Sequence, residues 1–175
     1  MGQPGGCPDR EVAPPGAVMA AIPDKLARLL GMFSGIEDRS ERIQLLIDIA
    51  DRFKRVLVPE RIAVRPYPKD KLVPGCESQA YVWAEELPDK TLKFYFAVEN
   101  PQGISAMATS VLFDETLSGA PSEQILNVPK DAIYTIFGNE LSMGKSMGLM
   151  GILAMVQNYA RQQIARTANR ETEAP

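Results

Sequence analysis

The chain has 175 residues, 45% apolar and 23% charged, which suits one compact domain with a real core and some loose ends. Its net charge is −3, with 19 Lys and Arg spread among 22 Asp and Glu, so the basic footprint of a nucleic-acid binder is excluded. No histidine occurs anywhere, which removes Ser-His and Cys-His catalysis, His-containing zinc sites and any histidine proton shuttle.

No apolar run approaches the roughly 18 residues of a membrane span, and no basic stretch leads into a compact apolar segment, so a soluble, non-secreted protein is expected. Residues 1–21 are rich in Gly, Pro and Ala and lack periodicity; they read as a disordered leader. Pro23 suits a first helical turn, and Leu26, Leu29 and Leu30 then form an apolar stripe through about Met32. Asp38 followed three positions later by Glu41 marks the start of a second helix, expected from Ser40 to Arg55 with Ile43, Leu46, Ile47, Ala50 and Phe53 facing the core.

Pro59, Pro66, Pro68 and Pro74 then break the chain, so Val56 to Pro74 is expected as a long irregular connection that supplies reach to the segment after it. Beyond it the period changes to two. Gln79, Tyr81 and Trp83 alternate with Ala80, Val82 and Ala84, and Thr91 to Val98 is a second β-rich run, so the two should pair as an antiparallel hairpin with Trp83 and Tyr95 in packing roles. Asn100 to Gly103 opens a helix carrying Ile104, Met107, Ala108, Val111 and Leu112, which ends at Gly119-Ala120-Pro121. Short helices are expected over Ser122–Leu126 and Lys130–Phe137. A long one is expected from Gly144 to Ala165, its methionines acting as core filler, Arg161 and Arg166 in its last turns, and residues 167–175 fraying. Gly144-Lys145-Ser146 lacks the preceding glycine of a phosphate loop. The fold class is therefore α+β: a small antiparallel sheet packed against several helices in one domain spanning residues 22–166.

The chemistry converges on Val73-Pro74-Gly75-Cys76-Glu77-Ser78-Gln79, which sets a thiol on a Pro-Gly turn just before a strand. The bland alternative is a small buried hydrophobe. Cys7 and Cys76 do not make a disulfide framework for a domain of this size, and two free thiols in a reducing compartment are expected. Without a general base, hydrolysis by the cysteine is disfavoured. Sulfur carriage needs only an accessible thiolate, which backbone NH groups beside Cys76 would stabilise, and a reactive partner sulfur. Lys69 and Lys71 are either solvated surface or a docking patch for an acidic partner.

At these residues the chain resembles the SufE family of sulfur acceptors, the activators of cysteine desulfurases in iron–sulfur cluster assembly. The resemblance rests on Val73 to Gln79 with Tyr81 and Trp83, on Gly119 to Ile125, and on Leu141-Ser142 with Gly148-Leu149, and it spans roughly Ile22 to Ala165. It implies a two-layer α+β domain whose Cys76 accepts persulfide sulfur from a pyridoxal-phosphate desulfurase and passes it to a cluster scaffold. The loop residues Pro74, Gly75, Glu77, Ser78 and Gln79 would support Cys76, tucked at rest and swung out for transfer. The resemblance further implies that this chain binds no cofactor or metal of its own, with pyridoxal phosphate in the partner, and that it works in the cytoplasm, or in an organellar stroma or matrix if the leader is a targeting remnant. A monomer and a homodimer both remain open.

Where the family commonly has an acidic pair and, one turn later, a Lys-Gly or Arg-Gly pair, this chain has Asn100-Pro101 and Ala106-Met107. The family's Leu-Ser-Pro-Ser-Arg appears as Leu141-Ser142-Met143-Gly144-Lys145, keeping a positive charge without arginine's bidentate fork. Lys145 is thus either a desulfurase contact or a surface charge. The competing readings are a noncatalytic regulator that docks to the desulfurase, and a direct iron–sulfur scaffold, disfavoured by a single folded-domain cysteine.

Overall fold

Pro23, its φ already near the helical value, starts α1 (Asp24–Ser34), which buries Leu26 and Phe33. Asp38 caps α2 (Arg39–Ala50) by accepting the Glu41 amide at 2.8 Å, as the spacing predicts. The computed structural model describes residues 21–139 and 141–172; the expected leader, with Cys7, and the end of the expected tail lie outside the described residues. In chain order there follow a 3₁₀ turn at Phe53–Arg55, a second at Lys69–Lys71, strands β1 (Ala80–Glu86) and β2 (Leu92–Val98), and helices α3 (Ile104–Leu117), α4 (Ser122–Leu126), α5 (Ala132–Phe137) and α6 (Met143–Thr172).

The strands form an antiparallel hairpin in which Val82 pairs with Phe96 and Trp83 with Tyr95. Period-two alternation gives it two different faces. Ala80, Val82, Phe94, Phe96 and Val98 join the main core with the helices, where Phe33, Phe94, Phe96 and Phe113 are fully buried. Each such side chain contributes about 1.5–3 kcal/mol by leaving water. Helix α3 runs through the middle and is buried nearly all round. Its hydroxyls Thr109, Ser110 and Thr116 are satisfied by the carbonyls one turn back, at 2.9, 2.8 and 2.6 Å.

The other face of the hairpin carries Tyr81, Trp83 and Ala97, and the long connection covers it. This corrects the expectation that residues 56–74 supply reach. Val58 donates to Phe96 O at 2.8 Å and Phe96 to Val56 O at 2.9 Å, while Tyr67 packs its ring 5.2 Å from both the Tyr81 and Trp83 rings. A two-stranded sheet needs cover on both faces, and this connection provides it.

Two further corrections concern helices. In α2 the buried stripe is Leu46, Ile49 and Ala50, with Ile43 46% exposed, and the helix ends at Ala50 rather than Arg55. Helix α6 continues to Thr172, where the sequence predicts fraying from residue 167. Its extra turns are held across the domain by Arg170, which donates to Glu86 at 2.9 Å, with Lys90 at 3.3 Å from the same carboxylate; these hydrogen bonds depress the Glu86 carboxyl's pKa below its ordinary value. Of the methionines expected as filler, Met150 and Met155 pack against the core, but Met147 is 58% exposed.

Arg42 ties three helices together. From α2 its guanidinium donates to Thr135 O and Ile136 O at the end of α5 (2.9 and 3.0 Å), and to Phe33 O and Ile36 O at the end of α1 (2.9 and 2.7 Å). Helix C-termini leave carbonyls without intrahelical partners, and one planar fork here serves two of them. Arg42→Ala is expected to lower the unfolding free energy by about 2–3 kcal/mol, with Arg42→Lys recovering only part of it. Denaturant unfolding measures both, and an Arg42→Ala protein as stable as wild type would contradict this role.

Candidate functional site

The cysteine turn is laced to the open end of the hairpin on both sides. Before it, Val73 donates to Ala80 O at 2.8 Å; after it, Asn100 donates to Ser78 O and Glu99 to Gln79 O, each at 3.2 Å. Between these ties Cys76 donates to Val73 O at 3.3 Å and accepts from the Gln79 amide at 3.0 Å. Of the backbone NH groups in this turn, those of Cys76 and Gln79 are therefore engaged with carbonyls. Gly75 has a φ of 70°, a left-handed conformation that glycine adopts without penalty, and Gln79 has a φ of 50°, where a side chain is disfavoured by about 1–2 kcal/mol. Pro74 and Gly75 are exposed at the tip, Cys76 and Ser78 are half-buried, and Glu77 and Gln79 face solvent.

Helix α6 meets this turn through small residues. A Cβ placed on Gly148 would lie 3.3 Å from Cys76 Sγ, and Ser78 packs against Gly103 just before α3. On one side of Cys76 opens a groove of about 870 Å³. Its apolar wall includes Ile43 and Ile47 of α2, Ile104 of α3, Phe137 and Leu141; Glu77 and Lys145 supply charge. Glu37, Arg39 and Arg42 also line it, so the groove joins an apolar wall to a polar, charged rim; a cleft of this size is a usual form of a binding site.

Of the residues expected to meet a partner, the structure brings Lys145 to this groove together with Cys76, Glu77 and Ser78. Lys69 and Lys71 lie elsewhere. Lys71 sits 3.2 Å from Asp70 and 5.5 Å from the Tyr159 ring centre; burial pulls its pKa down, but hydrogen bonds with Tyr159 and Asp70 outweigh that and hold it above the ordinary value. Asn100 and Ala106, two positions departing from the family pattern, also line the groove. The sequence pattern assigns Ile43 and Ile47 to the core stripe; the signal against it is that α2 carries more apolar residues than one buried face can hold. Gly148, within the family resemblance, and Gly103, at the helix opening, carry no sequence sign of their contacts with Cys76 and Ser78. Among the described residues no group of three or more Cys, Asp or Glu side chains is arranged to hold a metal ion, and no helix is long and apolar enough to cross a membrane.

A scan of family models matches residues 27–160 to SufE, described as an Fe-S metabolism associated domain. The chain belongs to the SufE family. Its role accordingly lies in iron–sulfur metabolism. The solution structure of a hypothetical protein from Thermus thermophilus has a similar fold, with a TM-score of 0.63 and 22% identity over 82% of this chain and 98% of that one. Among curated proteins no match is found.

Gly103 is a tight joint beneath the turn. A Cβ there would fall 2.8 Å from Val98 Cγ1, 2.9 Å from Ser78 Cβ and 3.0 Å from Asn100 O, and the last of these is backbone that cannot rotate aside. Gly103→Ala is expected to destabilise the protein by about 1–3 kcal/mol in denaturant unfolding. A neutral effect would show that the packing between the turn and α3 is loose.

Proposed function

We propose that this SufE-family chain is a sulfur acceptor and activator of a cysteine desulfurase. The observation that carries this reading is the half-buried Cys76 at the edge of a groove of about 870 Å³, on a turn whose two ends are tied to the hairpin. The partner presents a cysteine persulfide, and the Cys76 thiolate attacks its terminal sulfur. A new S–S bond forms on Cys76, the donor's S–S bond breaks, and the donor cysteine leaves as thiolate, so no external oxidant is required. The chain itself needs no general base, in keeping with the absence of histidine.

The persulfide on Cys76 then serves as cargo for an iron–sulfur scaffold. Pyridoxal phosphate belongs to the desulfurase, which performs the carbon–sulfur cleavage. The groove, with Lys145 and Glu77, is the surface this reading assigns to partner contact, in a reducing compartment such as the cytoplasm.

The test is the turnover of the cognate desulfurase on L-cysteine. Wild-type protein is expected to raise it, and Cys76→Ser, an isosteric change at a half-buried position, is expected to remove the stimulation while leaving the fold intact. Equal stimulation by wild type and Cys76→Ser would favour the noncatalytic regulator instead and overturn sulfur carriage.

A further inference from the structure

Three glycines of α6 face the cysteine turn, and their contacts differ in kind. A Cβ on Gly151 would lie 2.7 Å from Val73 Cγ1 and 3.4 Å from Pro74 O, so Gly151 seats the stem of the turn. On Gly144 it would lie 2.9 Å from Glu77 Oε1, the end of an exposed side chain that can swing aside. On Gly148 it would lie 3.3 Å from both Cα and Sγ of Cys76 and 3.5 Å from its Cβ. Backbone and thiol would there have to move together. Protein interiors transmit such a displacement because they are close-packed.

The remainder of the turn is held at its two ends. The stem is closed by the Val73 amide on Ala80 O, and the far end by Asn100 on Ser78 O. Between them the chain depends on the left-handed backbone of Gly75, around which a Cβ would meet nothing within 4 Å. A side chain at Gly75 thus has room, but not the backbone conformation.

We propose that Gly148 is a positioning residue for the Cys76 thiol: its missing side chain and the left-handed turn at Gly75 together form a latch that holds Cys76 against α6 and sets the fraction of molecules presenting the sulfur. This rests on Cys76 as the sulfur acceptor, yet the latch can be read by thiol chemistry that needs no desulfurase. If only the released form reacts, the apparent affinity for a sulfur donor scales with the released fraction.

The experiment uses the full chain carrying Cys7→Ser, so that Cys76 is the sole thiol, and measures its second-order rate with iodoacetamide in the folded and denatured states. Gly148→Ala is expected to raise the folded-state rate about fivefold or more without changing the denatured-state rate. Gly144→Ala, which adds the same methyl to the same helix but meets only the Glu77 carboxylate, should stay within about twofold of the parent. With the desulfurase, Gly148→Ala should lower the KM for the acceptor while kcat is kept, a split that mere loss of stability would not produce.

A folded Gly148→Ala protein reacting at the Gly144→Ala rate overturns the latch. If Gly148→Ala does not fold, Gly75→Ala decides, because its exposed site leaves the core untouched. Faster alkylation is expected there too, and an unchanged rate overturns the proposal. Should the alkylation rates shift as expected while the parent fails to stimulate the desulfurase, the latch stands and sulfur acceptance falls.

Discussion

The site depends on one close approach: α6 lies against the open end of a two-stranded hairpin with the cysteine turn held between them. Helix and turn meet at this distance because α6 presents Gly148 and Gly151 along that contact. The same helix reaches the rest of the domain through long polar side chains. Gln157 donates to Val128 O at 2.9 Å, Tyr159 to Val82 O at 2.9 Å and Gln163 to Lys90 O at 2.7 Å, so the helix that seats the cysteine is fixed to the segment after α4, to β1 and to the hairpin turn. Displacing α6 would disturb all of these together.

That arrangement divides the labour around Cys76. The long connection before it is a cover for the aromatic face of the sheet, pinned by Tyr67 and by the pairing of Val56 and Val58 with Phe96. The turn itself is the short stretch from Pro74 to Gln79, whose left-handed positions lie at Gly75 and Gln79. Beyond them the groove offers aliphatic walls from α2 and α3 next to the Cys76 thiol. Lys145 and Glu77 bring opposite charges to the same groove, a pattern suited to setting the orientation of a partner more than its affinity.

The fold was legible where a signal is local. Pro23, the Asp38–Glu41 cap and the two alternating runs each specify their own element through neighbours within a few residues, and the Pro-Gly turn marked Cys76 in the same way. What stayed hidden depends on residues far apart in the chain. Arg42 reads as one more polar residue on an amphipathic helix until α5 places Thr135 and Ile136 beside it. The last turns of α6 show no apolar periodicity, and their Arg170–Glu86 tie spans the domain. Ile43 and Ile47 have the composition of core residues, and only the packing of α2 against α3 decides that they face the groove. Gly148 is a weak helix residue by propensity, and its reason appears only with Cys76 against it.

The most direct measurement is peptide-level mass spectrometry of the chain after incubation with its desulfurase and L-cysteine under non-reducing conditions. One added sulfur atom on the peptide carrying Cys76, with none on the peptide carrying Cys7, is the expected result. Sulfur on Cys7 alone, or on neither peptide while the desulfurase is turning over, would contradict the assignment of Cys76 as the acceptor.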